Sequence, residues 1–411
     1  MPIAKHVIQR PKIAYAAINI AHGLFSVSAL PALALTDVET AALYAKGMII
    51  GQLASIAGSY SFAIDAPRTL LALSSDERHI ILRSLLAYQT LVLFSAICTC
   101  IIVSGRHWDE YLPTASGCVS AYSAVFVWQW FFVANPNHRV TTEHLAARFA
   151  NLLILASTVL IPRESIKQDL FLLILTGLLP ALSTRNAISA TLTEGHVSQP
   201  TLQELVTTLR NQLKSGRRIF ATACASAVYG QGTSLFTFLF LSSDILMAAQ
   251  FDRMRIAAAN FGAILISLWY PSFVGKSELD LKYFMHSLKK LFLYPITITS
   301  LALILFIDTL CASICTDYGV LGLPLQLVLV SLLCATLSIC SNAISMLYLY
   351  PKRKDDVYTA AIIIGAATFL LSSLAMLTGI LNVDVTIFAR SVFLAEAAIL
   401  FTLIFASKDR A

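Results

Sequence analysis

The chain has 411 residues, 57% of them hydrophobic and only 13% charged, with a formal net charge of +6. A soluble domain carries about 25% charged residues, so this composition excludes an ordinary water-soluble enzyme and predicts an all-α polytopic membrane protein. The positive balance reads as a topology signal and does not point to nucleic acid.

In chain order, long apolar runs predict twelve transmembrane helices, at 13–35, 40–64, 80–104, 111–134, 146–162, 168–184, 219–242, 245–271, 288–308, 319–346, 357–379 and 385–406. Several exceed the roughly 20 residues a bilayer requires, so tilt or kinks are expected. Pro31, Pro113, Pro180, Pro271, Pro295 and Pro324 lie inside or at the ends of spans. The first run is long for a signal peptide, despite the ALALTD stretch, and reads as a span.

The longest connection, 185–218, falls between spans six and seven. Within it, PTLQELVTTLRNQLKSGRRIF places Leu202, Leu205, Val206, Leu209 and Leu213 on one helical face. Thr201 and Glu204 have capping-box spacing at its start, and basic residues close it. The expectation is an amphipathic helix on the cytoplasmic membrane surface. It links an N-terminal six-helix lobe, 1–184, to a C-terminal six-helix lobe, 219–411. An even span count puts both lobes the same way up.

Basic residues test this parse. With residues 1–12 cytoplasmic, 22 of the 29 Lys and Arg fall on cytoplasmic segments and adjoining span ends, Arg148 among them. Arg106, Arg163 and Lys167 fall on the opposite face. This asymmetry follows the positive-inside rule and predicts cytoplasmic termini.

Lys46, Arg253, Arg255 and Arg390 remain deeper in spans, with Asp252 and Glu396 as acids, an excess of +2. Charge in a bilayer must be paired, hydrated or met by an anion. Asp252 and Arg255, three apart, can meet on one helix surface. Gln250, Arg253, Ala257 and Asn260 share another face, so Arg253 is expected to line a hydrated lumen. Lys46 and Arg390 lie nearer the outer surface, where Lys46 can also snorkel outward. Asp252 and Glu396 either bind a coupling ion or balance their arginine neighbours.

No Walker loop occurs, and the eight His and eight Cys show no metal-ligand spacing, so neither cofactor nor metal is expected. Cys98 and Cys100 point to different helix faces, while Cys311 and Cys315, near the outer surface, can pair in an oxidising compartment or simply pack. No large external loop carries acids or histidines, which argues against a membrane-embedded polysaccharide polymerase.

Three stretches carry a family likeness: GSYSFAIDAPRTLLALSSDERH, WQWFFVANPNHRVTTEHLAARFANLLIL and LSSDILMAAQFDRMRIAAANFGAILISLWYPSF. They resemble the ends of helices two and four and the body of helix eight in Wzx-type O-antigen flippases. These belong to the multidrug/oligosaccharidyl-lipid/polysaccharide exporter superfamily. The resemblance implies a flippase of the bacterial inner membrane that moves a polyprenyl-diphosphate-linked oligosaccharide outward for O-antigen and lipopolysaccharide assembly. It implies a cationic, two-lobed cavity. As partners it implies the lipid-linked oligosaccharide, membrane lipids, and a polysaccharide polymerase with its chain-length machinery. An exporter of drugs or small metabolites is the alternative.

Overall fold

The computed structural model describes residues 2–59, 75–104, 108–127, 138–160, 166–193, 201–240, 244–269, 277–314, 319–320, 323–349, 354–377 and 385–406. The aromatic turn after Ser59, the tryptophan-rich stretch at 128–137, Pro271 and Cys315 lie outside the described residues.

Each predicted span is met by helix over most of its described residues, the tenth, 319–346, opening on a short strand pair. In chain order these are α1 Pro2–Thr36, α2 Val38–Ser59, α3 Ser75–Val103, and α4 Trp108–Tyr122 with a 3-10 turn to Phe126. Next come α5 His138–Leu160, α6 Lys167–Thr193, α7 Leu202–Ser215, α8 Arg217–Gly230, α9 Gly232–Phe240 and α10 Ile245–Trp269. Then follow α11 Glu278–Leu288, joined by a π turn to α12 Tyr294–Ile314, and α13 Leu325–Ile344 with a π turn to Leu349. The chain closes with α14 Asp355–Leu377 and α15 Val385–Ala406. A short antiparallel pair, Gly319–Val320 with Leu323–Pro324, precedes α13. The protein is thus an all-α polytopic membrane protein. Among the described residues, seven stretches, in α1, α3, α6, α11–α12, α13, α14 and α15, are long and apolar enough to cross a membrane. The remaining predicted spans, α2, α4, α5, α8–α9 and α10, are shorter or more polar, and they carry Arg148, Asp252, Arg253 and Arg255 among the buried residues.

Contacts divide the chain into two compact units, Met1–Ala223 and Cys224–Ala411. In the first unit α2 and α4 approach to backbone contact. Gly47 and Gly51 of α2, four apart, face Thr114 and Cys118 of α4, and Gly117 of α4 faces Tyr44. A Cβ on any of the three would overlap the facing backbone. This is the small-residue packing that membrane helices use where burial of apolar surface supplies no drive. The turn into α2 is fixed by Asp37, whose carboxylate accepts from the backbone N–H groups of Thr40 at 3.1 Å and Glu39 at 3.2 Å.

The second unit is built differently. Aliphatic and aromatic side chains of α10, α13, α14 and α15 interlock in one cluster that includes Phe251, Leu337, Phe369 and Phe393. Phe236 of α9 meets Phe369 edge-to-face at 5.3 Å between ring centroids.

The predicted amphipathic helix forms as α7. Thr201 caps it, and the capping box with Glu204 is complete. Leu209 and Leu213 pack on the cluster containing Ile81, Leu82 and Leu85 of α3.

Candidate functional site

The predicted seventh span, 219–242, reads as one continuous helix in the sequence. The structure instead bends it at Gln231, between Gly230 and Gly232. Gln231 still donates to Ala227 and Leu235 still donates to Gln231, both at 2.9 Å. Ser234 N–H and Gly230 C=O, which would pair with each other in a continuous helix, are instead met by side chains. Asp252 Oδ2 accepts from Ser234 N at 2.9 Å and from Ser234 Oγ at 2.6 Å. Arg255 Nη2 donates to the carbonyl of Gly230. Both side chains come from α10, one turn apart.

Within hydrocarbon, a backbone group released by a kink must find a partner inside the protein. Here a carboxylate takes the orphan donor at the start of α9, and a guanidinium takes the orphan acceptor at the end of α8. Those are the signs the helix dipole favours at each end. A kink built by side chains entering the ladder is a recognised cause of helix bending. The Gly232 position is sterically closed as well, since a Cβ there would overlap the Phe369 ring.

Arg255 reaches a third helix. Its Nη1 pairs with Glu396 Oε1 of α15 at 3.0 Å, with side chains 4% and 2% exposed. Ser338 of α13 also hydrogen-bonds Glu396. The sequence spacing let Asp252 and Arg255 pair with each other; in the structure each is bonded elsewhere, and what they share is the bend. Asp252 Oδ1 and the hydroxyls of Thr233 and Thr237 are buried without a hydrogen-bond partner among the described residues.

Gln250 and Arg253, on the predicted polar face of α10, are buried. Ala257 is half-buried and Asn260 exposed, so this face opens toward the C-terminal half of the helix. Arg390 of α15 is half-buried. Lys46 belongs to the first unit, half-buried on α2, with no ion-pair partner among the described residues.

A second polar cluster lies wholly in the first unit. Arg148 of α5, read from the sequence as a cytoplasmic span end, is 1% exposed. Its Nη1 donates to Ser123 Oγ at 2.8 Å, and its Nε has no partner among the described residues. Thr184 of α6 donates to the Phe126 carbonyl at 2.9 Å and lies 3.4 Å from His144 Nε2. Asn151, three residues beyond Arg148, accepts from Thr176 Oγ1. No carboxylate pairs with Arg148 among the described residues. The signal that was missed is the spacing of His144, Arg148 and Asn151, which puts three polar side chains on one face of a membrane helix.

Among the described residues, no group of three or more His, Cys, Asp or Glu is placed to hold a metal ion. The cluster in the second unit caps two helix ends, and the one in the first unit holds a buried arginine on a serine hydroxyl.

No family model matches the sequence. No curated protein matches it either. Solved structures match its fold. The eukaryotic MATE transporter AtDTX14 is 8% identical, with 97% of this chain and 96% of that one covered and a TM-score of 0.55. An inward-facing multidrug resistance MATE family transporter of the MOP superfamily is 10% identical over 95% and 93% of the two chains, with a TM-score of 0.56. The lipid II flippase MurJ, in an inward closed conformation, is 12% identical over 98% and 87%, with a TM-score of 0.48. The chain therefore has the fold of MATE transporters of the MOP superfamily.

Proposed function

We propose that this chain is a flippase that carries a polyprenyl-diphosphate-linked oligosaccharide from the cytoplasmic to the outer leaflet of a bacterial inner membrane, with both termini cytoplasmic. The single observation that carries this reading is the buried cation Arg148, bonded to the neutral Ser123 hydroxyl and matched by no acid among the described residues. Lys46, also without an acidic partner there, adds to the same balance. A cation held in a membrane interior without a counter-charge favours an anionic cargo. Pyrophosphate suits it, because the planar guanidinium holds phosphate oxygens bidentately.

In this reading the charge of Arg255 is answered by Glu396, and Asp252 is committed to Ser234. The pair supports the bend, while the remaining buried or half-buried cations, Lys46 and Arg148 in the first unit and Arg253 and Arg390 in the second, are each suited to attract a diphosphate or an acidic sugar. Several spaced cations hold cargo loosely, as release demands. A polysaccharide polymerase and its chain-length machinery would receive the product.

Arg253 supplies the test. Arg253→Lys retains part of the transport, Arg253→Ala loses most of it, and Arg253→Glu loses essentially all, with membrane abundance measured in parallel. If Arg253→Glu is present at normal abundance and supports full surface polysaccharide, the cationic role is wrong. The second reading, export of drugs or small metabolites, is favoured by the fold shared with a transporter named for multidrug resistance. It requires that deletion alters drug susceptibility and leaves surface polysaccharide intact.

A further inference from the structure

The apolar face predicted for α7 is divided in the structure. Leu205, Leu209 and Leu213, spaced four apart, are half-buried, and the last two pack on α3. The adjacent ridge, also spaced four apart, runs Leu202, Val206, Arg210, Lys214 and is exposed throughout. Leu202 and Val206 are 77% and 57% exposed. Exposed leucine and valine running directly into arginine and lysine match neither a solvated face nor a packed core. Arg217, exposed at the first residue of α8, continues the basic end. The one acid of α7, Glu204, sits off this ridge and is bound to Thr201 at its own N-terminus.

We propose that the ridge Leu202–Val206–Arg210–Lys214 docks on the anionic phospholipid headgroup layer. Apolar side chains enter the headgroup boundary while lysine and arginine meet phosphates, the arrangement of an interfacial helix. Position on the chain supports a lipid occupant: only Gly216 separates α7 from α8, which begins a predicted membrane span. The helix cannot leave the surface by more than a residue's length at that end. A protein partner would be expected to pair the cations with acids and to bury Leu202 and Val206 in a shaped pocket. A charged lipid layer needs only the order of residues seen here.

Docking protects backbone amides in proportion to the docked population. Each basic residue near an anionic surface raises that population ratio about five-fold. The experiment is hydrogen exchange of residues 202–215 in the full chain, in vesicles of phosphatidylcholine alone and of phosphatidylcholine mixed with phosphatidylglycerol. Protection should rise by about ten-fold or more in the anionic vesicles. The Arg210→Gln, Lys214→Gln variant should lose this rise while α3 and α6 exchange as before. Equal protection in both vesicles overturns the proposal, as does a rise that persists in the variant. Protection that follows protein density in the membrane, and not phosphatidylglycerol content, also overturns it and assigns the ridge to a second copy.

Discussion

In the first unit Arg148 is buried, donates to the Ser123 hydroxyl and shares a helix face with His144, with no carboxylate pairing among the described residues. In the second unit Arg255 is buried to the same degree, yet it pairs with Glu396 and caps the end of α8, while Asp252 one turn away caps the start of α9. The second arrangement is explained by the backbone it serves, since each charge replaces a partner that the bent helix has lost. The first donates to a serine hydroxyl and pairs with no acid among the described residues, which is why the proposed reading assigns it to cargo. Two buried arginines therefore need not share a role; in the proposed reading, the identity of their partners separates a structural cation from a cargo-binding one.

The units also close differently, and this gives the largest expected effect. The α2–α4 contact of the first unit is backbone against backbone, which cannot yield. Gly51→Leu should prevent recovery of folded protein, because the helices must separate along their length. The tight glycines of the second unit face side chains instead, Gly232 a phenylalanine ring. Gly232→Ala should cost about 1–3 kcal/mol, the usual range for overpacking that side chains can partly absorb. Folded yield and thermal melting in detergent measure both. Similar losses at the two sites would erase this contrast.

Next in size is the ion pair. Glu396→Gln leaves Arg255 buried without its counter-charge, and breaking a buried pair from one side costs about 3–5 kcal/mol. Arg255→Gln in the same chain should recover part of that loss. It should not recover all, because the Gly230 carbonyl also loses its guanidinium donor. An additive double variant would mean the two side chains are not coupled.

Arg148→Met probes the other unit. Removing this cation orphans no acid and releases a serine hydroxyl, so stability should change by only about 1 kcal/mol. Transport of surface polysaccharide should nevertheless collapse. A severely unstable but otherwise active variant would reverse the assignment of roles between the units.

The helices themselves were legible because lipid-facing apolar runs must form closed backbone ladders, and each predicted run is helical over most of its described residues. The bend at Gln231 was not. Gly230 and Gly232 flank it in the sequence, but glycines are common in membrane helices, and the groups that stabilise the bend lie about twenty residues on, in α10. Local spacing suggested Asp252 with Arg255, and it carries no record of Ser234 or Glu396, which arrive through tertiary packing. The burial of Arg148 was not legible for a related reason. Near the end of an apolar run an arginine marks topology as readily as it marks a buried site, and only its neighbours on α6 and the 3-10 turn distinguish the two.

The smallest effect lies outside both buried clusters, at the start of α7, where a charge again caps a helix but in water. Thr201 N donates to Glu204 Oε2 at 2.7 Å and Thr201 Oγ donates to it at 2.9 Å, while Glu204 N donates to Thr201 Oγ at 3.3 Å. The backbone N–H of Thr201, and then its hydroxyl, hold the Glu204 carboxyl below its ordinary value of 4.5. A carboxylate whose pKa is lower in the folded state contributes stability that is present above the unfolded pKa and is lost as pH falls through the folded one. Amide protection at the first turn of α7 should therefore be constant at neutral pH and decline on acidification below about pH 4.5. Glu204→Gln should remove the pH dependence while keeping part of the cap, since an amide oxygen can still accept from Thr201. The far end of α7, held by Leu209 and Leu213 on α3, should not respond. If protection instead falls evenly along 202–215, the acid response belongs to docking of the whole helix, and the cap at Thr201 contributes nothing that exchange can detect.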